Sequence, residues 1–112
     1  MTYCVGLKID RGLVFMSDTR TNAGMDSIST FRKMHVLEQP GERVIVLMSA
    51  GNLATTQAVV SLLDERTKAV SDRHTTLLET PSMYQTARMV GDTVKEVIAN
   101  SSPVGEKADS YF

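Results

Sequence analysis

Val44-Ile45-Val46-Leu47-Met48 is an unbroken apolar run. Successive side chains of a strand point to opposite faces, so this run leaves no polar face for water and asks for cover on both sides. A chain of 112 residues holds one domain at most. What the remaining residues can lay over that strand therefore decides what the chain can become.

The N-terminal pattern has period two. Tyr3, Val5, Leu7 and Ile9 alternate with Thr2, Cys4, Gly6 and Lys8, which predicts a strand. Asp10-Arg11-Gly12 reads as a short loop and Leu13 to Ser17 as a second apolar run, making a hairpin of Thr2 to Ser17. Closed at that loop, the hairpin sets Ile9 opposite Leu13 and Thr2 opposite about Arg20. The polar stretch Asp18 to Thr30, with Asn22-Ala23-Gly24, predicts an irregular loop. Phe31 to Leu37 reads as a third strand, and Gln39-Pro40-Gly41-Glu42 suits a type II turn into the apolar run.

Two helices are predicted next. One runs from about Asn52 to Val70, with Leu53, Gln57, Val60, Leu63 and Thr67 on one stripe. The other has Thr80 as its N-cap, Pro81 at its first position and an apolar face of Met83, Ala87, Val90, Val94 and Val97, ending near Ala99. Gly91 lies inside it, at a cost of up to about 1 kcal/mol relative to Ala, and admits close packing there. Asp72, Arg73 and His74 mark a polar connection between the helices. Asn100 to Gly105 punctuates the second helix, and Ala108 to Phe112 reads as the start of another element. Four strands and two helices give an α+β fold of antiparallel strands covered on one face. The uncovered face of the apolar strand marks the chain as the front part of a larger fold, or as a fragment that must pair with something.

Composition narrows the function classes. Twelve Lys and Arg against thirteen Asp and Glu, net −1, argue against nucleic acid or an anionic membrane as partner. No apolar run approaches the roughly 18 residues of a membrane span. The lone Cys4 forms no internal disulfide, and the first residues lack signal-peptide features, so a cytoplasmic location is expected. His35, His74 and Cys4 are isolated, so neither a metal site nor a cofactor is expected.

The hairpin register brings the Ser17–Arg20 segment beside the chain start. With Met1 removed, Thr2 carries a hydroxyl and a free α-amine. An amine whose pKa lies near 7.7–8.0 can serve as the base for the hydroxyl of its own residue. Asp18 is positioned by the hairpin, and Lys33 on the next strand shares a face with Phe31 and His35. A like charge on Lys33 lowers the amine pKa, and the carboxylate keeps Lys33 charged. The same residues also read as an ordinary chain start, a strand end and a solvated Lys.

Thr2-Tyr3-Cys4-Val5-Gly6, Ser17-Asp18-Thr19-Arg20-Thr21-Asn22-Ala23-Gly24, Phe31-Arg32-Lys33-Met34 and Ser49-Ala50-Gly51-Asn52-Leu53-Ala54-Thr55 occur in that order along nearly the whole chain. In this the chain resembles the N-terminal half of proteasome-type β-subunits, among them the bacterial Anbu (ancestral β-subunit) group. The resemblance implies the αββα four-layer sandwich of the N-terminal nucleophile hydrolases, with residues 1–112 as a partial domain. It implies Thr2 as nucleophile and base, Asp18 and Lys33 as the charge pair that tunes it, and Gly51 as the oxyanion donor. Thr19, Arg20, Thr21 and Asn22 then lie along a substrate channel for an extended peptide. The function implied is a threonine peptidase acting on peptide or unfolded protein within a self-associated ring or spiral. The alternatives are an amidase acting on a small amide and a non-catalytic assembly subunit or fragment. The chain departs from the family at Thr55, where an acidic residue is usual, and the later Ser and Asp that support the nucleophile lie beyond these residues.

Overall fold

In a computed structural model, which describes residues 1–22, 28–68, 76–101 and 110–112, the apolar run buries Leu47 and partly buries Ile45 on one face and is less covered on the other, where Val44 is exposed. The elements are β1 (Cys4–Ile9), β2 (Gly12–Ser17), β3 (Arg20–Asn22), β4 (Ile28–Thr30), β5 (Met34–Gln39), β6 (Arg43–Met48), β7 (Ala50–Gly51), α1 (Leu53–Lys68), α2 (Met83–Ser101) and β8 (Ser110–Tyr111). Among the described residues the strands pair antiparallel as β1–β2, β3–β4, β5–β6 and β7–β8. The expected helix end at Val70, the connection at Asp72 to His74, residues Ala23 and Gly24, and the Ser102–Gly105 punctuation lie outside the described residues.

The Pro40-Gly41 turn forms as its residues dictate. Gly41 takes φ 80°, and the Glu42 N–H donates to the Gln39 carbonyl at 3.0 Å, the geometry of a type II turn. The first hairpin closes one residue earlier than expected, with Ile9 opposite Gly12 and Lys8 opposite Leu13. Gly12 takes φ 154° as the first residue of β2. The reversal is absorbed there, so Asp10 and Arg11 need no positive φ. Asp18 is thereby set against Tyr3, with the Asp18 N–H donating to the Tyr3 carbonyl at 3.0 Å. The polar stretch expected as an irregular loop contains a short hairpin, β3–β4.

The core joins β6 to both helices: Leu47, Val59, Leu63, Leu77, Val90 and Val97 are buried together, with Leu37 and Ile45 packed against them. The helices therefore lie on the β5–β6 face that carries Leu37, Ile45 and Leu47. The buried stripe of α1 is Thr55, Thr56, Val59 and Leu63, rotated from the expected one, and Gln57 is exposed. The rotation follows from a hydroxyl pair, Thr56 Oγ1 with Ser110 Oγ at 2.5 Å, which apolar periodicity does not register. Asn52 caps α1 by accepting the Thr55 N–H at 3.0 Å.

Helix α2 begins later than expected. Ser82, not Thr80, is its cap, with the Gln85 N–H donating to Ser82 Oγ at 3.2 Å. Thr80 is buried and engaged elsewhere: Arg43 donates to Thr80 Oγ1, to the Thr80 carbonyl and to the Leu77 carbonyl. Val90 and Val97 face the core, but Met83 and Ala87 of the expected stripe are exposed.

Among the described residues, the other face of β6 is met by the first hairpin at its Met48 end. A Cβ placed on Gly6 would lie 3.4 Å from the Phe15 ring and 4.0 Å from Met48 Cε, so the β1–β2 hairpin approaches Met48. Further along the same face Val36 and Val44 are 57% and 60% exposed. The outward face of the hairpin carries Tyr3, Leu7, Ile9, Val14 and Met16, all exposed. No helix among the described residues is long and apolar enough to cross a membrane.

Gly91 is exposed and a Cβ there meets nothing within 4 Å, so it serves no close packing in this fold. Gly91→Ala is expected to raise stability by about 1 kcal/mol through helix propensity. Gly41→Ala, at φ 80°, is expected to lower it by about 1–2 kcal/mol. Urea midpoints at unchanged m-value measure both.

Candidate functional site

The site is built where the start of the chain, the end of β2 and the approach to β5 meet. Lys33 is 5% exposed. Its Nζ donates to Asp18 Oδ2 at 2.9 Å, to the Arg20 carbonyl at 2.6 Å and to the Met1 carbonyl at 3.2 Å. An ammonium has three N–H donors, and here each has an acceptor, which offsets the cost of taking the charge out of water. The Lys33 carbonyl accepts the N–H of buried Ser49 at 2.9 Å, which ties this residue to the end of β6.

Asp18 is bonded on both oxygens. Oδ1 accepts the Tyr3 N–H at 2.9 Å and Oδ2 accepts Lys33 Nζ. The Tyr3 N–H first, and the Lys33 ammonium next, hold its carboxyl below the ordinary value of 3.8, against an opposing contribution from burial.

A cleft of about 110 Å³ adjoins this cluster, lined by Met1, Thr2, Arg20, Thr21, Phe31, Lys33, Ser49, Ala50, Gly51, Leu53 and Thr56. Of the residues singled out in the sequence, Thr2, Lys33, Gly51, Arg20 and Thr21 border it. Asp18 stands behind it as the partner of Lys33. The Thr19 carbonyl accepts the Phe31 N–H at 2.7 Å, and Asn22 ends β3 opposite Ile28. Gly51, the oxyanion donor implied by the resemblance, takes φ 109° in β7 and pairs with Ser110 of β8.

Three residues given no site role from the sequence shape this region. Ser49 is buried beneath the cleft. Thr56 and Ser110 join α1 to β8, and the Ser110 hydroxyl also donates to the Ala50 carbonyl at 3.3 Å. Two adjacent Thr at a helix start were the available signal. The partner at position 110 gave none.

Paired hairpins, two helices on one face and an Asp–Lys pair at a strand end define an N-terminal-nucleophile-hydrolase-like fold. No family model and no curated protein matches the chain, but solved structures do. A structure described as the helical assembly of the Anbu complex from Pseudomonas aeruginosa is 41% identical over 98% of this chain, with a TM-score of 0.87. Anbu (ancestral beta-subunit) from Yersinia bercovieri is 52% identical over 91%, with a TM-score of 0.81. An Anbu (Gly-1) mutant from Hyphomicrobium sp. strain MC1 is 54% identical over 89%, with a TM-score of 0.79. The chain belongs to the Anbu group of proteasome-type β-subunits. It spans 45%, 42% and 42% of the lengths of those three chains.

The expectation of a threonine peptidase, and with it of a hydrolase or protease, is overturned. The match is to Anbu chains, one of them described by its helical assembly. Among the described residues no group of three or more His, Cys, Asp or Glu is placed to hold a metal ion.

The Asp18 linkage has a definite sign. A depressed carboxyl pKa means that the unfolded chain binds the proton first, so its stabilisation is present above the ordinary 3.8 and is lost as pH falls through the lower folded value. Acid unfolding followed by circular dichroism is expected to show this loss. In Lys33→Met, which removes one of the two leading causes, the loss below that pH is expected to be shallower.

Proposed function

We propose that this chain is a non-catalytic assembly portion of an Anbu-type subunit, whose contribution is self-association. The observation that carries the reading is the open apolar surface. Leu7, Ile9, Val14 and Met16 on the first hairpin, with Val36 and Val44 on the β5–β6 face, are each at least 43% exposed. Soluble monomers rarely leave more than a few hundred Å² of contiguous apolar surface in water. The relative described as a helical assembly supports the reading, and a ring or spiral of subunits is its natural form.

In this reading residues 1–112 are a partial domain of an αββα four-layer sandwich, with α1 and α2 as one outer layer. The open faces await the remainder of the sandwich or a neighbouring subunit. Asp18 and Lys33 act as a clamp that holds the chain start and β3 in place beside Gly51, and Thr19 to Asn22 form the border of the cleft. A free thiol at Cys4 fits a cytoplasmic location.

Two measurements test the proposal. Sedimentation is expected to show concentration-dependent association that Leu7→Lys combined with Val14→Lys weakens. A monodisperse monomer would overturn the assembly role. Intact mass after treatment with an electrophile selective for N-terminal threonine is expected to show no adduct. Covalent capture at Thr2 would restore a catalytic reading.

A further inference from the structure

We propose that His35 is a proton-sensitive contact that loosens α1 from β5 when the chain is acidified. His35 lies on β5 opposite Leu47, on the face that meets the helices. Together with Leu37, Leu47, Val60, Leu63 and Asp64 it lines a cavity of about 280 Å³. Its Nε2 is shut off from water and has no hydrogen-bond partner. A neutral imidazole tolerates one unpaired nitrogen. An imidazolium is a donor at both nitrogens, and a buried ionised donor without an acceptor is strongly disfavoured.

The charged groups around the ring do not relieve this. Arg32, just before β5, adds like charge. Lys33, on the same face, is spent on Asp18. β6 presents Leu47 across from the ring, and its Arg43 is held by Leu77 and Thr80. From α1, Asp64 reaches the same cavity but is held by Lys68 at 3.0 Å.

Burial first, and the Arg32 charge second, hold the ring's pKa below the ordinary 6.5, against a backbone hydrogen bond at Arg32 that favours the charged form. The unfolded chain therefore takes up this proton first. Stability is full above 6.5 and falls as pH drops from there to the folded value. Below both values, each unit of depression corresponds to about a tenfold loss in the folded-to-unfolded ratio. This loss begins at a higher pH than that of Asp18, at 6.5 rather than 3.8.

The test is stability and amide exchange between about pH 8 and about pH 5, the range in which an unperturbed histidine is the side chain that changes charge. The wild-type chain is expected to lose stability across it, with exchange at Val59 to Leu63 accelerating beyond the intrinsic rate. His35→Gln is expected to flatten both profiles. Equal slopes in the two chains would overturn the proposal. So would a gain in stability on acidification, the sign of Asp64 capturing the protonated ring. Should His35→Gln fail to fold, ring resonances of the wild type decide: a His35 midpoint below 6.5 supports the contact, and one at or above 6.5 refutes it.

Discussion

A buried ammonium organises the N-terminal half of this molecule. Lys33 is 5% exposed, a position that costs several kcal/mol unless every N–H has an acceptor. Meeting that demand draws three separate stretches to one point: the Met1 carbonyl, the Asp18 carboxylate after β2 and the Arg20 carbonyl at β3. The Tyr3–Asp18 bonds then set the start of β1 against the end of β2, and the Ser49 N–H ties Lys33 to the far end of β6. The cleft beside Gly51 exists because these strands are gathered around one charge.

Polar ties repeat at the other junctions. Arg43 reaches from the head of β6 to the connector before α2, and Thr56 with Ser110 joins α1 to the last strand. The apolar core supplies adhesion between the helices and β5–β6, but it is non-directional. The buried hydrogen bonds choose which turn of each helix faces inward. This is why α1 buries Thr55 and Thr56 where an apolar stripe alone would bury Gln57.

The uncovered surface and the functional assignment belong together. Helices pack on one face of β5–β6, the first hairpin reaches the other near Met48, and its own outward face remains apolar. The chain spans less than half the length of the solved relatives it matches, and the proposed association rests on this open apolar surface. Beside Thr2 each N–H of the Lys33 ammonium has an acceptor. The same Asp18 and Lys33 that read as tuning groups in sequence serve first to hold the strands in register.

Local chemistry alone determined several elements. Alternation marked the first hairpin, Pro40-Gly41 dictated a type II turn because only glycine takes φ near +80° without strain, and Val90 and Val97 marked the inner face of α2. The pairing of Asp18 with Lys33 was expected from the family resemblance and is present at 2.9 Å. Other features needed the folded chain. The cap at Ser82 and the rotation of α1 each follow from partners distant in sequence: the Arg43–Thr80 bonds span 37 positions and the Thr56–Ser110 pair spans 54. A propensity is a property of neighbours along the chain, whereas a buried donor seeks whichever acceptor the fold brings near, and only the tertiary structure decides which that is.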